Sequence, residues 1–143
     1  MKTLTLDPED EYDFALFGLV SSSRDYALAW SLNRGLRLRL VRQPDYVLHL
    51  GPPGALAFSY YRHTSGEALT LRLLRNRAAL PTTVSKPFLA PDIREYDYLL
   101  HVQGGQDELA GTELLDRLTA LSTVQYASEF VPTELKYREN LIF

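Results

Sequence analysis

Seven consecutive residues, Phe14-Ala15-Leu16-Phe17-Gly18-Leu19-Val20, decide the fold. No position in this stretch carries a charged or polar side chain, so both alternating faces of an extended chain would be apolar. Such a pattern is typical of a strand covered on both sides rather than of an edge strand. We therefore predict a central core strand here, with a short strand over residues 4–6 before it.

Two helices are predicted, one after this strand and one late in the chain. Ser22 and Asp25 have the spacing of a capping box, and apolar residues then recur near helical spacing until Gly35, where a left-handed C-cap is expected. The second helix begins near Thr112 and gathers its leucines on one face.

Most of the remaining chain alternates with the period of a strand. Residues 36–41 place leucines on one face and arginines on the other, and residues 46–50 are also extended. A hairpin over residues 56–73 turns at Ser65-Gly66, and a two-residue turn there would pair Tyr60 with Leu71. This register would also place Ser59 opposite Arg72.

The later segments are less regular. Residues 77–92 contain three prolines and predict a loop rather than a buried element, while residues 96–102 predict another strand. For residues 124–143 the sequence pattern does not decide between a strand, a helical turn and a tail. Together these elements predict one α+β domain over residues 1–143, a mainly antiparallel sheet of about five to six strands with two helices packed mostly on one face.

Composition and charge narrow the class of protein. The chain has no cysteine, which excludes disulfides and suits a cytoplasmic location, and no apolar run approaches the roughly 20 residues of a membrane-spanning helix. Residues 34–91 hold nine basic and two acidic groups, whereas acidic groups predominate on both sides. We expect the arginines of this basic block to pair internally with the acidic flanks.

No residues suggest catalysis. Asp97 and His101 share a face of the predicted strand, but four residues span roughly 13 Å, which is too far for a direct hydrogen bond. We expect His101 to be a hydrogen-bonded core or edge histidine. His49 and His63 lack metal-ligand spacing, so we predict no catalytic residue, cofactor or metal.

Two binding hypotheses follow. A sheet with two helices leaves one face short of cover, so the first is a non-enzymatic interaction module, a homodimer or the binder of a protein partner. Its interface would be that sheet face or the apolar tail Leu141-Ile142-Phe143. The second is an RNA-binding accessory protein with a cationic and aromatic sheet face, made of Arg37, Arg39, Tyr61 and Arg72.

The segment Ala90-Pro91-Asp92-Ile93-Arg94-Glu95-Tyr96-Asp97-Tyr98 resembles the signature of the IPExxxVDY family, a bacterial family with no established activity. Pro91, Asp97 and Tyr98 match it outright, whereas alanine, aspartate and tyrosine replace the isoleucine, glutamate and valine of the signature. The ending Asn140-Leu141-Ile142-Phe143 is also similar to the family pattern. The resemblance implies no catalytic residue. We expect Pro91, Asp92, Asp97 and Tyr98 to be architectural, with Asp92 closing an Asx turn; a polar binding surface is the alternative.

Overall fold

A computed structural model describes residues 12–50, 54–66, 68–79, 84–105 and 111–143, with the backbone alone for residues 111 and 112. In chain order its regular elements are β1 (Ala15–Val20), α1 (Asp25–Leu36), β2 (Val41–Arg42), β3 (Tyr46–His49), β4 (Ala55–Phe58), β5 (Tyr60–Ser65), β6 (Leu69–Arg75), β7 (Tyr98–Gly104), α2 (Gly111–Thr119) and β8 (Tyr126–Phe130). Short 3-10 turns occur at Pro91–Ile93, Pro132–Glu134 and Arg138–Leu141. The strand predicted over residues 4–6 lies outside the described residues.

Six strands form one antiparallel sheet in the order β2-β5-β6-β7-β1-β8, and β3 pairs with β4 in a separate hairpin. The predicted core strand is confirmed as β1, which lies between β7 and β8 and is buried on both faces. Helices α1 and α2 pack on the face that carries Phe17 and Leu19, through residues such as Leu28, Leu32 and Leu118. The predicted α+β architecture is therefore correct.

The opposite face of the sheet is covered by the chain itself. Its residues Leu16, Leu74 and Leu99 belong to a second core cluster together with side chains from the β3–β4 hairpin, the segment before β7 and the C-terminal segment, namely Leu56, Phe58, Ala78, Leu89, Ala90, Ile93, Leu135 and Leu141. The expectation of an uncovered face is wrong. Loop residues that lack periodicity supply this cover, and Leu89, within the predicted loop, is fully buried.

The register of the β5–β6 hairpin differs from the prediction. Ser65 pairs with Leu69, so the turn has three residues rather than two, and Tyr61 pairs with Leu73. The pairing is shifted from the predicted one by an odd number of residues. Residues of β5 and β6 that were predicted to share a face of the sheet therefore lie on opposite faces. Tyr61 consequently lies in the helix-side core and Arg72 on the opposite side of the sheet.

The ends of α1 also differ from the sequence pattern. The helix begins after Arg24, which makes no side-chain cap, and it ends at Arg37, which adopts the left-handed conformation at φ 57°. Gly35 instead lies inside the helix, where its missing side chain leaves room for Leu121. Of the strand predicted over residues 36–41, only Val41 belongs to a strand, β2, although the leucines of this segment are buried or half-buried as expected.

Candidate functional site

The predicted RNA-binding face does not form one surface. Arg37 and Arg39 follow α1, where the Arg39 amide donates a hydrogen bond to His63 Nδ1 at 2.9 Å. Arg72 lies on the other side of the sheet, and Tyr61 is 8% exposed. The structure therefore contradicts this grouping. The hairpin register separates Tyr61 from Arg72, and Arg37 and Arg39 are not part of a strand.

The C-terminal tail, predicted as an interface, packs within the chain. Leu141 is fully buried in the second core cluster, and Ile142 is half-buried. The ring of Phe143 lies 4.7 Å from the ring of Tyr46, and the guanidinium of Arg72 lies 5.0 Å from the Phe143 ring centre. These contacts remove Leu141 from the reach of a partner.

The residues of the family-like motif connect distant segments. Asp92 Oδ2 accepts a hydrogen bond from the Lys136 amide at 2.9 Å, which replaces the expected Asx turn. Asp97 Oδ2 accepts from the Ser21 amide at 2.8 Å, and the Tyr98 hydroxyl donates to a backbone carbonyl at 2.6 Å. Pro91 occupies the first turn of a 3-10 helix. These contacts favour the architectural interpretation.

His101 is buried without the expected hydrogen bond. Its ring stacks on Phe14 at 3.9 Å and meets the edge of Phe143 at 5.0 Å. Among the described residues neither imidazole nitrogen has a hydrogen-bond partner of good geometry, although the Leu141 backbone is close enough to act on the pKa in the upward direction. Burial, with the charge of Arg72, lowers the pKa of His101 to about 3. His101 is therefore a neutral core residue.

A cleft beside the C-terminal end of β6 gathers three arginines that sequence reasoning did not bring together. It encloses about 380 Å³ and is lined by Arg42, Asp45, Ser59, Arg75, Arg77, Ala78 and Ala79, which we call the arginine cleft. Three separate segments of the chain contribute these residues, so no local motif could have revealed it. The only feature of the sequence that pointed to the cleft is that its three arginines all belong to the basic block of residues 34–91.

The arginines of the cleft are held by aromatic rings. Each guanidinium carbon lies over a ring centre, at 5.6 Å for Arg42 over Tyr61, 5.9 Å for Arg75 over Tyr98 and 5.7 Å for Arg77 over Phe88. Guanidinium groups stack favourably on aromatic faces, and stacking leaves the N–H groups at the guanidinium edge free to bind an anion. The rings therefore restrict the orientations of the three charges before any ligand binds.

Carboxylates near the cleft neutralise only part of its charge. Within the described residues Arg42 and Asp45 form the one ion pair, 2.5 Å between Nη2 and Oδ1, and both belong to the basic block. Between described residues no direct ion pair joins the basic block to the acidic flanks, although Asp25 of the first flank lies near enough to interact with Arg42 and Arg75. Partial burial acts to raise the pKa of Asp25. Hydrogen bonds from Ser59 and from the Tyr26 amide, together with the charges of Arg42 and Arg75, lower this pKa below its usual value.

A second exposed feature lies on α1. Tyr26 and Trp30 are 62% and 61% exposed, and the guanidinium of Arg34 lies 4.9 Å from the Trp30 ring centre. Residues four apart share one face of a helix, so these three side chains form a continuous line, which we call the α1 stripe. Large exposed aromatics on a rigid element are typical of protein interfaces.

Comparison with protein-family models, with curated proteins and with solved structures yields no match to this chain. Among the described residues no three His, Asp or Glu side chains lie close enough together to hold a metal ion. No helix in the part of the chain that the structure describes is long and apolar enough to cross a membrane. The fold and surface therefore define an α+β protein with a cationic cleft and an aromatic helix face.

Proposed function

We propose that the chain is a non-enzymatic self-association module and that two copies pair through the α1 stripe. The observation that carries this proposal is the exposure of Trp30 and Tyr26 one helical turn apart on a rigid helix. Tryptophan, tyrosine and arginine are the residues that contribute most to protein interfaces. Membership of the IPExxxVDY family and a cytoplasmic setting, which the cysteine-free composition suits, belong to the same proposal.

The spacing of the stripe suits a second copy of the same chain. Trp30 lies midway between Tyr26 and Arg34, so an antiparallel pair of α1 helices would bring Trp30 against its own copy. Tyr26 of each chain would then meet Arg34 of the other, where a phenolic oxygen can accept a hydrogen bond from a guanidinium. A twofold axis requires this self-complementarity.

The size of the stripe sets the expected strength of the dimer. Tyr26 and Trp30 each have a side-chain surface of roughly 150–250 Å², and about three-fifths of it is exposed. The two residues therefore offer an interface on the order of 250 Å² per chain. A standard interface buries about 800 Å² per partner, so flanking residues must contribute and the dimer should be weak. We expect a monomer–dimer equilibrium that depends on protein concentration in the micromolar range or above.

Trp30 provides a direct reporter because it is the only tryptophan in the chain. We expect its fluorescence emission to shift to shorter wavelength as protein concentration rises, in parallel with the mass measured by sedimentation velocity. Arg34→Glu should abolish both changes, whereas Val131→Ala, which alters an exposed residue outside α1, should leave both unchanged. A monomer with constant emission at every concentration would refute self-association.

A further inference from the structure

We propose that the arginine cleft binds the phosphate group of a small phosphate monoester. The cleft has the volume of a small-ligand site, about 380 Å³, within the range of roughly 300–1,000 Å³ that such sites occupy. The cleft shares no residue with the α1 stripe. Arg42 lies in β2, Arg75 is the last residue of β6, and Arg77 follows β6 by two residues.

The charge of the cleft favours an anion. Three guanidinium groups outnumber the carboxylate of Asp45 in the lining and the carboxylate of Asp25, which accepts a hydrogen bond from the lining residue Ser59. The cleft therefore keeps a net positive charge. Among the described residues Arg75 and Arg77 have no carboxylate within 4.0 Å, so their N–H groups remain available. Guanidinium groups bind phosphate through paired, charge-assisted hydrogen bonds, and these are stronger than neutral ones.

The cleft is also preorganised. Arg42 donates through Nη1 to the Gln43 carbonyl at 2.5 Å and through Nη2 to Asp45, which fixes the position of its guanidinium. The Arg75 amide donates to the Ser59 carbonyl at 3.0 Å, which fixes the backbone from which the Arg75 side chain extends. A site that is ordered beforehand loses less conformational entropy when the anion binds.

The aromatic rings of the cleft favour a small phosphate ester over single-stranded RNA. RNA-binding surfaces stack bases on exposed aromatic faces. Here Tyr61 and Tyr98 are 8% and 1% exposed and lie beneath guanidinium groups, so neither ring face is open to a base. The three arginines also converge on one cavity rather than follow a track along the surface.

The proposal is tested by calorimetric titration of the full chain at constant ionic strength, with adenosine 5′-monophosphate, inorganic phosphate and adenosine as probes. We expect the monophosphate to bind and adenosine not to bind. Arg75→Gln and Arg77→Gln should each weaken binding by about tenfold or more, because each removes a charge-assisted contact. Arg62→Gln, which removes the same charge from an exposed position of β5 outside the cleft, should change affinity less than about twofold.

Asp45→Asn supplies a test in the opposite direction. It keeps an oxygen that can accept from Arg42 and so orient it, but it removes the negative charge that competes with phosphate, so it should tighten phosphate binding several-fold. Equal affinity for inorganic phosphate and the monophosphate would assign the site to the free ion, and tighter monophosphate binding would assign it to the ester. No binding of either probe would overturn the proposal, as would equal weakening by Arg62→Gln and Arg75→Gln. Tighter binding of an unphosphorylated RNA oligonucleotide, with the same sensitivity to the arginine variants, would replace the proposal with an RNA site.

Discussion

Asn76 and Ala90 are joined by hydrogen bonds in both directions, from the Ala90 amide to Asn76 Oδ1 at 2.8 Å and from Asn76 Nδ2 to the Ala90 carbonyl at 3.5 Å. Asn76 Nδ2 also donates to the carbonyls of Ile93 and Tyr96, at 3.2 Å and 3.0 Å. One buried amide thus holds the turn that leads into β7. This turn contains the family-like motif.

We expect Asn76→Ala to lower the free energy of unfolding by about 2–4 kcal/mol, because it leaves several buried backbone groups without partners. Asn140→Ala removes the hydrogen bond that the side-chain amide donates to the Leu89 carbonyl at 3.0 Å, and should cost about 1 kcal/mol. Urea unfolding of both variants measures the difference. Equal losses would show that Asn76 does not organise the turn.

His101 makes stability depend on pH. Burial lowers its pKa to about 3, below the usual value of 6.5, so between these pH values the unfolded chain binds a proton that the folded chain does not. The stability that a neutral His101 contributes is therefore complete above pH 6.5 and is lost as pH falls toward 3, by about 1.4 kcal/mol per pH unit.

The His101→Leu variant isolates this effect. Its free energy of unfolding, measured by urea at several pH values between 4 and 7, should fall less steeply on acidification than that of the unmodified protein. His49→Gln alters an exposed histidine and serves as the control. Identical slopes for the unmodified protein and His101→Leu would mean that His101 is protonated as readily in the folded chain as in the unfolded one.

Gly18 lies under two aromatic rings in the middle of β1. A Cβ atom there would lie 2.7 Å from Phe130 Cε2 and 2.7 Å from Tyr96 Cδ1, closer than such atoms approach in proteins. These two rings pack edge to face at 5.0 Å, so an added methyl group would have to displace both of them. Gly18→Ala should therefore destabilise the fold by about 1–3 kcal/mol through overpacking.

A double-mutant cycle with Phe130→Leu tests whether the rings are the cause. The smaller side chain should accept part of the added methyl group, so the double variant should lose less stability than the sum of the single variants. Thermal or urea unfolding measures each corner of the cycle. Strict additivity would place the cost of Gly18→Ala elsewhere in the strand.

The sequence pattern predicted the helices and strands better than it predicted how the strands pair. β1 was identifiable because both of its faces are apolar, and α2 because its leucines recur with helical spacing. The register of β5 and β6 depends on whether the turn has two or three residues, a difference that alternation cannot detect because it alters only the pairing. That difference separates Tyr61 from Arg72, whereas Arg37 and Arg39 leave the predicted face because residues 37–39 form no strand.

The cover of the second sheet face and the arginine cleft were missed for a related reason. Leu89, Leu135 and Leu141 reach the core from irregular segments, where no periodicity marks a residue as buried. The cleft likewise unites Arg42 with Arg75, residues far apart in the chain that only the sheet brings together. Local patterns predict which face of an element is apolar, whereas tertiary contacts decide what covers that face.

Tyr98 links β7 to the start of α1 and should make the protein sensitive to alkali. Burial raises the pKa of Tyr98 to about 12 from 10.0, so the folded chain retains a proton that the unfolded chain loses as pH rises above 10. The stability that depends on neutral Tyr98 is therefore present below pH 10 and is lost as pH rises toward 12. Its hydroxyl also donates to the Ser23 carbonyl at 2.6 Å.

We expect Tyr98→Phe to lose about 1 kcal/mol of stability at neutral pH, from the missing hydrogen bond, and to unfold less steeply in alkali than the unmodified protein. Absorbance of tyrosinate in the variant should lack the component that titrates last in the folded protein. Tyr126→Phe alters an exposed tyrosine and should preserve that component. A late-titrating component that survives in Tyr98→Phe would assign it to another buried tyrosine, of which Tyr46 and Tyr61 are the candidates, because burial also raises their pKa.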